Sequence, residues 1–144
     1  MPKKLFVSNL RANRLCLGGY GELYLIDLEK IVYFQADDHY THVYYTAGVH
    51  FLLPFGLARV EEAVKASAIG MGRLLRVGRK YMVNISRIFH ISVIKQQLVM
   101  SDGAAGSIAL KVPKATLREL VNKLNGACHV AADEAVDMPS VPLS

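Results

Sequence analysis

Cysteine is nearly absent. Cys16 and Cys128 stand far apart, with no Cys-x-x-Cys pair and no Cys/His spacing. That argues against a disulfide framework and a zinc site, and the two thiols read as ordinary reduced cysteines. Long hydrophobic runs are absent too. The longest local one, 51–55, is interrupted by Pro54 and falls far short of the roughly eighteen apolar residues of a membrane span. The start is basic, but its apolar stretch stops at Ser8-Asn9, too short for a signal peptide. The expectation is a cytoplasmic protein without membrane insertion. Catalytic signatures are also missing: no GxSxG, no HExxH, no phosphate loop and no carboxylate pair with an obvious partner acid. Asp37-Asp38 reads as a turn. No enzyme, no cofactor and no metal site are expected.

What is present is a chain of 144 residues, 52% hydrophobic and 20% charged, which fits one globular domain able to bury a core without staples. The charge is uneven. The chain carries 17 basic and 12 acidic residues, +5 in all. Residues 125–144 hold Asp133, Glu134 and Asp137 and no Lys or Arg, which leaves +8 on residues 1–124. A basic domain with a weakly acidic tail points to an anionic partner, often nucleic acid, although a merely soluble basic protein has the same balance.

Residues 14–17 and 22–26 read as short strands around the Gly18-Gly19-Tyr20-Gly21 turn. Asp27 is placed to cap a single helical turn. Residues 31–36, 39–46 and 49–53 are rich in β-branched and aromatic side chains and are separated by Asp37-Asp38 and Ala47-Gly48, so they read as an antiparallel meander. On the second of these, Thr41, Val43 and Tyr45 share one face. The period changes at 56–67, where Leu57, Val60, Glu61 and Val64 recur at helical spacing. Residues 74–77, 81–84, 87–94, 97–100 and 107–112 look extended. A last helix is expected at 115–124, closed by Asn125-Gly126. The reading is mainly β and antiparallel, in small packed sheets with two short helices. The expected division is an extension at 1–13, a domain at 14–124 and a flexible tail at 125–144.

Three stretches carry chemistry. The densest basic one is Arg73-Leu-Leu-Arg76-Val-Gly78-Arg79-Lys80-Tyr81-Met-Val-Asn84. Gly78 interrupts the strand period, which exposes Arg79 and Lys80 on a loop. Guanidinium forks suit phosphates and the paired acceptors of guanine, while lysine serves as a point charge. A solvated basic edge that discourages sheet aggregation would look the same. The second stretch is Asp38-His39-Tyr40-Thr41-His42. His39 and His42 point to opposite faces of a strand, poor geometry for a shared metal, so a polar turn donating to phosphate or base edges fits better. An ordinary surface turn is the competing reading. The third is Lys111-Val112-Pro113-Lys114, where a lysine stands beside the N–H groups of a helix start. His50, His90 and His129 stand alone and read as structural or surface residues.

The order of these features resembles the LytTR family: residues 31–36, then His39-Tyr40, an amphipathic helix, Arg76-x-x-Arg79-x-Tyr81-x-Val83-Asn84, Ile88, and Val112-x-Lys114 before a terminal helix. The likeness spans residues 15–124, and the Arg…Tyr-Met-Val-Asn block is its most specific part. It implies a mostly β DNA-binding domain of bacterial transcription regulators that docks loops into successive major grooves of double-stranded DNA, usually as pairs on repeated sites. Residue by residue, it implies DNA contacts at Arg79 and Lys114, and it places His39, Tyr40 and Thr41 in the first contacting loop. Tyr81 and Asn84 become scaffold. Arg76, Lys80 and Lys111 complete the expected site. The chain departs from the family pattern at Gly78 (usually His), Lys80 (Ser), Pro113 (Ser) and Gln35 (Glu). A changed loop side chain changes which base edge is read. The residues ahead of the domain are too few for a receiver domain, which implies a stand-alone regulator or a fragment, with a partner protein or expression level as its control. The alternative is an interaction module that pairs an exposed sheet edge with another protein; a small enzyme using His39 or His42 is the third.

Overall fold

A computed structural model describes residues 14–19, 21–67, 72–103 and 106–127. Residues 1–13, 68–71 and 128–144, and with them Cys128, His129 and nearly all of the expected tail, lie outside the described residues. β1 (Arg14–Gly19) and β2 (Glu22–Asp27) form a two-stranded hairpin. Asp27 then makes the expected turn: its carboxylate accepts from the Glu29 N–H at 3.0 Å and its carbonyl from the Lys30 N–H at 3.1 Å. β3 (Ile31–Asp37), β4 (Tyr40–Tyr45) and β5 (His50–Leu53) are the meander. α1 (Leu57–Ala66) follows, with Leu57, Val60 and Val64 buried at the spacing of one helix face. β6 (Leu74–Val77) and β7 (Tyr81–Asn84) form a tight hairpin around residues 78–80. β8 (Ile88–Ser92), β9 (Gln97–Ser101) and β10 (Ser107–Lys111) lead into α2 (Lys114–Ala127).

The strands make three antiparallel sheets: β1-β2, the five-stranded β5-β4-β3-β7-β6, and β10-β9-β8. The mainly β class with two helices is as read from the sequence, and ten strands are formed among the described residues, one at each extended segment.

The five-stranded sheet is buried on both sides, which is why β3 and β7 read as nearly continuous apolar runs and not as an alternation. Phe34, Val43, Leu53 and Met82 face a first core with Leu57, Val60 and Val64 of α1 and Leu15, Leu17 and Ile26 of the hairpin. Tyr33, Val77, Tyr81 and Val83 face a second core with Leu98 and Met100 of β9, Leu110 of β10 and Leu117 and Leu120 of α2. A register shift between Ile31 and Tyr33 lets the adjacent Val32 and Tyr33 both join this second core.

Two boundaries differ from expectation. α2 runs through Asn125-Gly126 to Ala127, because an interior glycine costs a helix only about 1 kcal/mol and does not by itself end it. The strand expected at 87–94 is shorter, Ile88–Ser92. Ile85–Arg87 is a 3-10 turn capped by the Asn84 side chain, which accepts from the Ser86 N–H at 3.1 Å, and β8 begins only at Ile88.

Candidate nucleic-acid interface

The registers Gln35↔Tyr81, Asp37↔Tyr40 and Thr41↔Leu53 set three connections side by side at one end of the central sheet. These are the β3–β4 turn, the β6–β7 turn and the β5–α1 link. The Ala36 N–H donates to the Lys80 carbonyl at 2.8 Å, which ties the first two together. Gly78 lies against the first turn of α2: a methyl group on it would sit 3.4 Å from Thr116 Cγ2. Three stretches distant in sequence are thus brought to one rim.

The β6–β7 turn is held from beneath. Arg76 Nη1 donates to Glu61 at 2.6 Å, Nη2 to the Arg79 carbonyl at 3.0 Å and Nε to the Gly78 carbonyl at 3.1 Å. Its side chain is only 27% exposed. Arg76, expected among the DNA contacts, has its guanidinium engaged by Glu61 of α1 and by the turn's own carbonyls. Gly78 adopts φ +66°, a left-handed conformation that glycine takes without strain. Arg79 and Lys80 are exposed, and Lys80 Nζ lies 5.8 Å over the Tyr81 ring. At the end of the hairpin opposite the turn, Asn84 is buried. Its amide donates to the Ile31 carbonyl at 2.8 Å and its oxygen accepts from Ser86 Oγ at 2.7 Å.

On the β3–β4 turn, Asp38 has φ +58°, the His39 side chain is 89% exposed and Tyr40 is exposed. Thr41 is not. It is fully buried, and its hydroxyl donates to the Phe55 carbonyl at 2.7 Å. The expectation of a Thr41 contact is corrected, because the alternation that exposes Tyr40 sends Thr41 into the first core. His50, read as standing alone, meets His42. His42 Nδ1 and His50 Nε2 are 2.8 Å apart, and His42 Nε2 lies 2.8 Å from Asp37 Oδ2. The three groups run in a line and satisfy one another. Among the described residues no group of three or more His, Cys, Asp or Glu is placed to hold a metal ion. The rings of His42, His50, Tyr44 and Tyr33 stack in succession across the sheet. Burial, with Tyr44 and Tyr81 adding to it, pushes the Tyr33 phenol well above its ordinary range.

Lys111 and Lys114 are exposed at the β10–α2 junction. The Val112 N–H donates to the Gln96 carbonyl at 3.0 Å, which brings the β8–β9 turn and its exposed Lys95 alongside. Lys95 was not singled out from the sequence; a turn lysine has no signal until the register places it. α2 has no acidic residue in its first turn and begins with Lys114. A cation there opposes the helix dipole, an arrangement that costs stability unless an anion is bound.

A basic rim of turns on a two-core β scaffold defines a mainly β nucleic-acid-binding domain. The LytTr DNA-binding domain family matches residues 21–125, and the chain belongs to that family. A solved LytTr DNA-binding domain from Bacillus cereus has the same fold, with a TM-score of 0.55 at 16% identity over 78% of this chain and 97% of that one. No curated protein matches the chain. The chain is therefore a DNA-binding domain of the transcription-regulator kind, from a DNA-binding and not an enzymatic family. Among the described residues no helix is long and apolar enough to cross a membrane.

Proposed function

We propose that this domain reads double-stranded DNA by entering major grooves with the turns of this one rim. Arg79 and His39 meet base edges, with Tyr40 beside them. Lys80, Lys111 and Lys114 hold phosphates, and residues 14–124 act as one unit. The convergence of the β6–β7 turn, the β3–β4 turn and the start of α2 carries the reading. Phosphate contacts fix register and base contacts give specificity, and a rim with both an unpaired arginine and flanking lysines supplies both. Inclusion of β1 in the unit is supported by Leu15 and Leu17, which close the first core. Two copies on repeated sites belong to the same proposal.

The test is a selection of bound sequences from random duplex, followed by Arg79→Ala. Loss of the arginine should cost about 1–3 kcal/mol on the selected duplex, the worth of one good base contact, with little loss on a scrambled one. Wild-type binding of both duplexes by the variant would remove Arg79 from the reading.

A second reading rests on β8, an edge strand of its sheet, where Phe89 is 75% exposed and Ile94 in the following turn 61%. Such an edge suits pairing with another protein. Salt separates the two readings. DNA binding weakens steeply from low to moderate salt through counterion release, whereas an apolar edge contact does not.

A further inference from the structure

Beside the β3–β4 turn lies a cleft of about 630 Å³, lined by Asp38, His39 and Tyr40 on one side and by Gly56 and Arg59 of the α1 start on the other. Arg59 was absent from every sequence motif. Its exposed guanidinium is held at two points: Nη2 donates to the Gly18 carbonyl at 2.9 Å, and its carbon lies 5.1 Å from the centre of the Phe55 ring. Among the described residues it forms no ion pair, unlike Arg73, which meets Glu29 at 3.3 Å, and Arg76, which meets Glu61. A guanidinium has five N–H donors in a rigid fork. The Gly18 carbonyl takes one, and the fork is already oriented when a ligand arrives. Asp38 is the one acid of the cleft. Its carboxylate is 80% exposed and lies 3.8 Å from His39 Nε2, so water and the imidazole screen much of its charge.

We infer that this cleft seats one backbone phosphate of the bound duplex, with Arg59 as its charged wall and His39 at its mouth. The inference rests on the proposed DNA reading. The cleft is continuous with the β3–β4 turn that enters the groove, and the strand flanking a major groove presents phosphates beside any turn inserted into it. A phosphate is the anion a pre-oriented guanidinium fork fits best. Arg59 then acts as a register clamp: it fixes how far the β3–β4 turn enters without reading sequence.

The test compares salt dependence on two probes, the duplex selected by the wild-type chain and a scrambled duplex. Arg59→Gln should weaken both by the same factor. The slope of log affinity against log salt should become shallower by about 0.9, the signature of one lost phosphate contact. Arg59→Lys keeps a charge, so it should keep the slope even where it loses the Gly18 and Phe55 contacts. Arg79→Ala is the comparison: it should cut the preference for the selected duplex, whatever residue 59 is. An unchanged slope in Arg59→Gln, or loss of the slope in Arg59→Lys as well, overturns the phosphate seat while the proposed function stands. Failure of the wild-type chain to bind either duplex at low salt overturns the proposed function itself. Should Arg59→Gln not fold, duplexes with single phosphates replaced by neutral methylphosphonates give the second measurement. One such position should weaken the wild type more than Arg59→Lys, whose point charge holds that phosphate less well, and the absence of any such position overturns the inference.

Discussion

The two turns at the rim are held in opposite ways. The β6–β7 turn is propped by a side chain: Arg76 reaches up from β6 to two of the turn's carbonyls and across to Glu61 of α1. The β3–β4 turn is propped by its flanks. Thr41 bonds to the Phe55 carbonyl on the core side, and His42 bonds to Asp37 on the other. A basic residue near a loop can thus serve the loop or its ligand, and the number of acceptors already around it decides which. Arg76 has three. Arg79, three residues on, has an exposed side chain and lends the scaffold only its carbonyl.

The largest effect should come from Arg76→Met. The variant keeps the aliphatic stem and loses one ion pair and two bonds to the turn. Thermal or denaturant unfolding should show a loss of about 2 kcal/mol, a charged-bond value discounted for partial exposure. DNA specificity should drop toward that of Arg79→Ala, because Arg79 loses the platform that aims it. A variant with lowered stability but intact sequence preference would mean that the turn holds itself.

Thr41→Val probes the other turn. The shapes match, and the change removes the donor to Phe55, so the expected loss is about 1 kcal/mol by denaturant titration. Arg79-dependent specificity should survive. Should Thr41→Val erase it, the two turns are one mechanical unit and the contrast drawn between them fails.

The smallest effect is a pH dependence in the second core, beneath both turns. The pKa of Tyr33 is raised in the folded chain, chiefly by burial. A raised folded-state value means the native state holds the proton more tightly than the unfolded chain. Its stabilisation is fully present below the ordinary tyrosine value of about 10 and is lost as pH rises above it. Unfolding titrations should show stability falling above that pH, and Tyr33→Phe should flatten the fall. An equal alkaline slope in both proteins would locate the sensitivity elsewhere, such as Tyr45 or Tyr81, whose phenols burial also raises.

Much of this was legible beforehand, and the reasons differ by element. The meander was readable because β-branched and aromatic runs alternate with Asp-Asp and Ala-Gly, and α1 because its apolar spacing is unambiguous. The family was readable from the Arg79-x-Tyr81-x-Val83-Asn84 block. The burial of Thr41 was not legible in the sequence. Period two says which residues share a face, but not which face another layer covers. Thr41, Val43 and Tyr45 were correctly grouped, and only α1 packing over that side made it interior. Arg59 and Lys95 gave no signal, since each gains meaning from a partner element far away in sequence.

The sequence by itself determined the strands, the helices and the basic excess of residues 1–124, because these follow from local period, turn chemistry and composition, and the likeness of its Arg79–Asn84 block to a DNA-binding family pointed to the family. Only the tertiary structure decided which cations face outward. Burial on both sides of the central sheet, together with the Arg76–Glu61 pair, makes Arg76 a strut and leaves Arg79 exposed. The antiparallel registers carry the β3–β4 and β6–β7 turns to a single rim, and the contact of Gly78 with Thr116 adds the start of α2. That outcome depends on long-range packing, in which a residue's role is fixed by neighbours that no local pattern encodes.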